Sequence, residues 1–401
     1  MRRAGRAALV ALAVAASGCG VGYVVRAGYS EARILWRREP ITTVLARPDL
    51  APGLRERLEL VLAVRAFARD DLGLRVGESF ATFADVDGDA TVWVVSAAYR
   101  DRLEAYTWWF PVVGRVPYKG FFDRGEATAL AATLEADQLD VDVRSASAFS
   151  TLGWFADPLL STTARADPVR LAETVIHELF HATLYLPGEA TFNESAATFV
   201  GHRGAIAFFC GGPGENVERC GTAIRRWNAE RAHGRVVARL VRRLRALYAS
   251  GDPPPAIQRQ RRMLAAHAAA TVERRHLGDP RELSPPNNAR LLAVVTYETD
   301  LDLFDGLVAP GRPLRPAIAA IVARARGADD PFAAVRAIDP RTLQTDAAGL
   351  DSPSPWRPSH SPWTSCWVAS RAGSAFSGMT SRTVPTCTAR GSCAAPATRA
   401  G

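Results

Sequence analysis

Lysine is all but missing from this chain: Lys119 is the single lysine among 49 basic residues. A preference for arginine that strong reads as the coding bias of a GC-rich genome, not as a binding adaptation. Cysteine is scarce as well. Six cysteines in 401 residues are too few for a disulfide scaffold, and no set of them has the tight spacing of a thiolate metal site. Zinc-finger spacing and basic motifs interleaved with aromatics are both absent, which argues against a nucleic-acid reader. Acidic residues stop at Asp351, and the segment 346–401 has no apolar periodicity. Such a stretch cannot bury enough surface to offset its ordering entropy, so it is expected to be a disordered, low-complexity tail.

What remains has the composition of a globular protein, with 48% hydrophobic and 22% charged residues. A chain of this length has room for one large domain or two ordinary ones. The N-terminus reads as an address. Arg2, Arg3 and Arg6 precede an apolar run over 7–16, which is too short to span a bilayer as a mature helix and fits a secretory signal peptide. Ala16-Ser17-Gly18-Cys19 resembles a bacterial lipobox, which implies cleavage after residue 18 and lipidation of Cys19. The expected location is the cell envelope, on the periplasmic side of an outer membrane, with the lipid as the membrane contact. In that oxidising compartment Cys210 and Cys220 could close the Gly-rich loop between them.

The pattern along the chain predicts an α+β domain over 19–345, with a mixed sheet in the N-terminal half and a mostly helical C-terminal half. Helices are expected over 20–38, 52–72 and 126–136. Strands are expected over 79–84 and 91–97, joined as a hairpin through Asp87-Gly88, and again over 108–113 and 139–144. The densest basic stretch, with arginines at 225, 226, 231, 235, 239, 242, 243 and 245, reads first as a solvated helix face. An anionic surface is the alternative.

The chemistry concentrates in His177-Glu178-Leu179-Phe180-His181. Asp167-Pro168 starts a helix there, with Asp as N-cap and Pro in the first turn. Histidines four residues apart share one helix face and can converge on one ion, and Glu178 lies one residue round, placed to act as a base toward a metal-activated water. A catalytic zinc site needs a third protein ligand and an open position. Glu194 is the first candidate, since two antiparallel helices joined by a short turn bring it level with His181. The same residue could instead form a capping box with Thr191, and Glu189 is the reserve ligand. For the oxyanion donor the first choice is Tyr297, followed by His202 and Tyr185; Tyr297 could equally be a half-buried core residue. The segment 148–155 could offer a strand edge to a peptide backbone.

His-Glu-x-x-His followed by Asn193-Glu194 is similar to the gluzincin group of zinc peptidases. Thr198 stands where that group has an Asp supporting the histidines. Over 19–305 the chain more closely resembles a bacterial family of predicted aminopeptidases. The resemblance is carried by the lipobox, Thr107-Trp108-Trp109-Phe110-Pro111-Val112, Val116-Pro117-Tyr118-Lys119-Gly120, Ser150-Thr151-Leu152-Gly153-Trp154-Phe155 and Asp157-Pro158-Leu159-Leu160-Ser161. It continues through the His-Glu-x-x-His helix, Phe192-Asn193-Glu194-Ser195 and Asn287-Asn288-Ala289-Arg290-Leu291. The resemblance implies a zincin-like fold, one zinc held by His177, His181 and Glu194, Glu178 as general base, and peptide substrates. Two other classes compete with this reading: a zinc amidase acting on cell-wall material, and a noncatalytic envelope lipoprotein with structural zinc.

Overall fold

The computed structural model describes residues 36–86, 92–110, 114–146 and 157–345. The expected signal peptide, Cys19, most of the 20–38 helix, the Asp87-Gly88 turn, the 148–155 edge and the 346–401 tail lie outside them. The described part is α+β, with small mixed sheets followed by helices. Strand β1 (Glu39–Pro40) leads into helices α1 (Ile41–Leu45) and α2 (Pro52–Asp70). Strands β2 (Thr82–Ala84), β3 (Val92–Ala98), β4 (Trp108–Phe110), β5 (Gly114–Val116) and β6 (Tyr118–Phe121) follow. Helix α3 (Arg124–Ala136) separates them from β7 (Asp140–Ala146) and β8 (Leu159–Leu160).

The expected β2–β3 hairpin does not form. Strand β2 pairs with β1 and β8, whereas β3 pairs antiparallel with β6 and β7. Both segments carry the alternation of strands, but alternation does not specify the partner. Residues 79–81 are also not strand, since Phe80 turns the chain with a φ of 58°. In the second sheet Val95, Ala97 and Val141 pack against Ala127, Ala131 and Leu134 of α3. The opposite face of β7 presents Asp140 and Asp142 to the helical half.

That half begins with α4 (Ser161–Ala164), α5 (Pro168–Thr183) and α6 (Ala190–Phe209). Next come α7 (Val217–Tyr248), α8 (Pro254–Arg274) and α9 (Asn288–Glu298), then α10 (Leu301–Asp305), α11 (Arg315–Ala325), α12 (Pro331–Arg336) and α13 (Thr342–Thr345). Helix α6 is apolar nearly all round and is buried accordingly, with Phe192, Ala196, Phe199 and Phe208 inside the main core. A disulfide joins Cys210 to Cys220 across the loop from α6 to α7. A second apolar cluster sits between α7, α8 and α9, around Leu240, Leu244 and Val272.

Helices α5 and α6 approach unusually closely, and Gly201 is the reason. A Cβ there would sit 2.7 Å from the Glu173 carbonyl oxygen and 3.2 Å from the His177 Cβ. Gly201→Ala therefore forces the helix pair apart, and the expected loss is about 1–3 kcal/mol in denaturant unfolding. Gly53 in α2 is the control, because a Cβ added there would meet nothing within 4 Å. Gly53→Ala should stay within about 1 kcal/mol of the parent, on the stabilising side. Equal effects at the two positions would contradict the close contact.

Candidate metal centre

Helix α5 forms where the sequence places a cap, a proline and an apolar stripe. The Asp167 side chain accepts hydrogen bonds from the Val169 and Arg170 amides at 3.1 Å, and Pro168 occupies the first turn. Arg226 of α7 grips the same carboxylate through both its terminal nitrogens, at 3.0 and 2.7 Å. Val175, Ile176, Leu179 and Phe180 are fully buried. They fix the rotation of the helix, so that His177 and His181 emerge together on the side facing α6. The helix ends at Thr183, ahead of the Pro187-Gly188 breaker.

The turn to α6 is closed by Asn193. Its side-chain carbonyl accepts the Leu186 amide at 3.0 Å, and its amide donates to the Leu186 carbonyl at 2.8 Å. Glu194 comes next and points back at the histidines. The alternative capping box is not formed: α6 starts at Ala190, its N-cap is Glu189 with no side-chain cap bond, and Thr191 lies inside the helix. Glu189, the reserve ligand, is thus at the helix start and not in the group of donors.

His177 Nε2 lies 3.1 Å from Glu194 Oε2 and 3.2 Å from His181 Nε2, and the third side of the triangle, His181 to Glu194, is 3.5 Å. Four ligands arranged tetrahedrally at about 2.0–2.1 Å from zinc stand roughly 3.3–3.4 Å apart. The triangle therefore has the dimensions of one face of such a tetrahedron. The donor set also suits a cation. At most one proton can sit between the facing Nε2 atoms, so these atoms and the carboxylate leave lone pairs converging on one point. Burial works against a charged His181 ring, but Glu194, and then Glu178, outweigh it and raise its pKa. Burial likewise opposes ionisation of Glu194, yet the bonds and charges of both histidines bring it down to about 2. His181 Nδ1 is buried without a hydrogen-bond partner. Thr198 is buried and makes no hydrogen bond to either ring among the described residues.

Tyr297, the candidate donor, completes one wall. Its ring stacks beside His177, with centroids 6.2 Å apart and planes 26° from parallel. It keeps 39% of its surface exposed. Surrounding protein and then the Glu194 charge push its phenol above the ordinary value, so the hydroxyl remains a proton donor. The Glu178 charge acts on both this phenol and His181, raising both. The other donor candidates are elsewhere. His202 is half-buried against Glu173 at 3.1 Å and stacks on Trp227, and Tyr185 is exposed on the turn after α5.

Sequence reading missed the residues that hold Tyr297 in place. The Ser195 hydroxyl donates to the Thr296 carbonyl and accepts the Thr299 amide, both at 3.1 Å, tying α6 to the end of α9. His233 pairs with Glu298 at 2.7 Å beside it. At the other end, Asn287 caps α9 and donates to the Val141 carbonyl at 2.7 Å. The Asn288 amide donates to Asp140 at 2.7 Å, and Arg290 bonds Asp142 at 3.1 Å. The Asn287-Asn288-Ala289-Arg290 motif thus fastens α9 to β7. The spacing that could have signalled this is the pair of alternate acids in β7, Asp140 and Asp142, on one strand face.

A family model described as "Putative aminopeptidase" matches residues 22–313. No curated protein and no solved structure matches the chain.

The histidine–carboxylate cluster gives chelator-treated protein a defined pH response. Glu194 is depressed from 4.5 to about 2, so its contribution is complete above pH 4.5 and lost as the pH falls toward 2. His181 is raised above 6.5, so its contribution is complete below that value and lost as the pH rises through the folded pKa. The destabilisation caused by Glu194→Gln should therefore be largest between about pH 5 and 6.5, on the order of 2 kcal/mol, and shrink on both sides. Urea unfolding across pH checks this; a flat difference would contradict the pairing.

Proposed function

Since the chain belongs to this aminopeptidase family, we propose that it is a zinc-dependent peptidase with a zincin-like active site. The observation that carries this reading is the tetrahedral-face triangle of His177, His181 and Glu194, with Glu178 one residue from the first ligand. Those three residues would hold the metal and leave one position open. Bound zinc would polarise the scissile carbonyl and make water acidic enough to be deprotonated near neutral pH.

The protein's own groups do the rest. Glu178 takes the proton from the attacking water and returns it to the leaving amine. It is half-buried and does not join the ligand triangle, so its carboxylate stays available. The Tyr297 hydroxyl, kept protonated by its surroundings, donates to the carbonyl oxygen as negative charge develops there. We place the mature enzyme in the bacterial envelope, anchored by lipid on Cys19. No helix among the described residues is long and apolar enough to cross a membrane.

Purified protein should carry about one zinc per chain, and His177→Ala with His181→Ala should abolish it. Glu178→Gln keeps shape and loses the base, so zinc should stay while peptide turnover falls by roughly a hundredfold or more. Glu194→Gln should instead lower zinc affinity, because an amide poorly replaces a carboxylate ligand. Metal analysis alongside hydrolysis of unblocked and N-blocked peptides and of muropeptides reads all three. Full zinc in the double histidine variant would rule out the site. Normal turnover in Glu178→Gln would rule out the base, and cleavage of muropeptides alone would move the enzyme to the amidase class.

A further inference from the structure

Residues 236–271, the outer half of α7, the turn and most of α8, contain seven arginines against one acidic residue, Asp252. Several arginines elsewhere in the helical half are instead held in ion pairs. Arg226 bonds Asp167, Arg235 bonds Asp302, Arg290 bonds Asp142 and Arg336 bonds Asp300. Within 236–271 only Arg261 turns inward, to Asp140. Arg239, Arg242, Arg243, Arg245, Arg259 and Arg262 are all exposed, and none makes an ion pair or side-chain hydrogen bond among the described residues.

The packing prevents them from finding internal partners. Helix α7 commits Leu240, Leu244 and Leu247 to the second core, against Ala268 and Val272 of α8, so the basic side chains must face away from it. Asp252 is a weak counterweight, already held by the Ser250 hydroxyl oxygen on its own amide and by Gln260 on its carboxylate. Beside Arg262 on α8, Met263 has 70% of its surface exposed. A cationic helix surface with an unbranched apolar side chain among its charges matches the boundary between headgroups and acyl chains. It does not match a single-strand nucleic-acid platform, which would set aromatic side chains between the basic ones for stacking. The one aromatic residue in 236–271, Tyr248, is spent on Asn288.

We propose that the outer face of the α7–α8 hairpin is a docking surface for anionic phospholipid. It binds the headgroups of a bilayer through Arg239, Arg242, Arg243, Arg245, Arg259 and Arg262, with Met263 entering the interface. This contact is independent of the metal centre and of any lipid on Cys19. It would lay the body of the protein against the membrane instead of leaving it free on its tether.

Co-sedimentation with vesicles tests it, using the full chain carrying Cys19→Ser so that no lipid contributes. The readout is binding to phosphatidylglycerol-containing vesicles relative to phosphatidylcholine alone. The parent should prefer the anionic vesicles strongly, and high salt should erase the preference. Arg239→Gln with Arg242→Gln and Arg262→Gln should lower it by roughly a hundredfold, from a loss of about fivefold per arginine. The same three positions changed to Lys keep the charge and should restore it, which separates charge from damage to the fold. An anionic preference unchanged in the Gln variant would overturn the proposal. Tighter binding to single-stranded or duplex oligonucleotides than to anionic vesicles at the same salt would overturn it too and assign the face to nucleic acid.

Discussion

Two helices can share one small cation only if their backbones come close enough for short side chains to meet, and in this protein that approach depends on Gly201. With a side chain there, α6 would collide with the carbonyl of Glu173 and the Cβ of His177. Gly204, one turn on, meets Ile176 and Leu72 in the same way at 3.0–3.1 Å. Both glycines lie in a helix interior, where glycine costs about 0.5–1 kcal/mol relative to alanine. The burial of Phe192, Phe199, Phe208 and the α5 stripe offsets that cost many times over, since each large apolar side chain contributes about 1.5–3 kcal/mol. The core thus stabilises a helix pair whose spacing brings His177, His181 and Glu194 together despite the cost of glycine in the helix.

Once the spacing is set, three consecutive residues act in three directions. Asn193 closes the turn behind, Glu194 meets the histidines in front, and Ser195 reaches sideways to the end of α9. Helical geometry makes this division possible, because successive side chains point about 100° apart. It also couples the parts. A shift of α6 that moved Glu194 would drag the Ser195 anchor and with it the backbone carrying Tyr297. The remote end of α9 is held separately, by Asn287, Asn288 and Arg290 on the acids of β7. Tyr297 is therefore clamped from both sides while its own ring keeps its exposure.

The histidine pair and the carboxylate beside it were legible because a helix turns spacing into geometry. A cap at Asp167, a breaker at Pro187-Gly188 and two histidines four apart determine the local arrangement before any tertiary contact exists. Glu194 was half legible. Its level along the partner helix followed from the rise per residue, but ligand and cap predict the same spacing, and the helix start at Ala190 excludes only the cap. The sheet was the least legible part. Alternation located β3 and β7 closely, yet β2 pairs with β1 and β8, both distant in sequence, through contacts that alternation does not encode. Gly201 was invisible for a different reason: a glycine inside a helix reads as a tolerated defect until the neighbouring backbone is known.

The charges of the site follow one rule applied to different surroundings. Carboxylates and imidazoles pair along the α5–α6 seam, with Glu173 facing His202 one turn above the His177–Glu194 contact. Burial opposes the charges of His181, Glu194 and His202, and in each case the facing partners outweigh it. Glu173 has a second partner in Arg226, at 3.6 Å, so the upper carboxylate lies between an imidazole and a guanidinium of the chain itself. In the lower group one carboxylate faces two histidines, and the Tyr297 ring stacks beside His177. The two levels therefore differ in what faces the carboxylate: an imidazole and a guanidinium above, and below two imidazoles whose nitrogens lie close enough to it to share one ion.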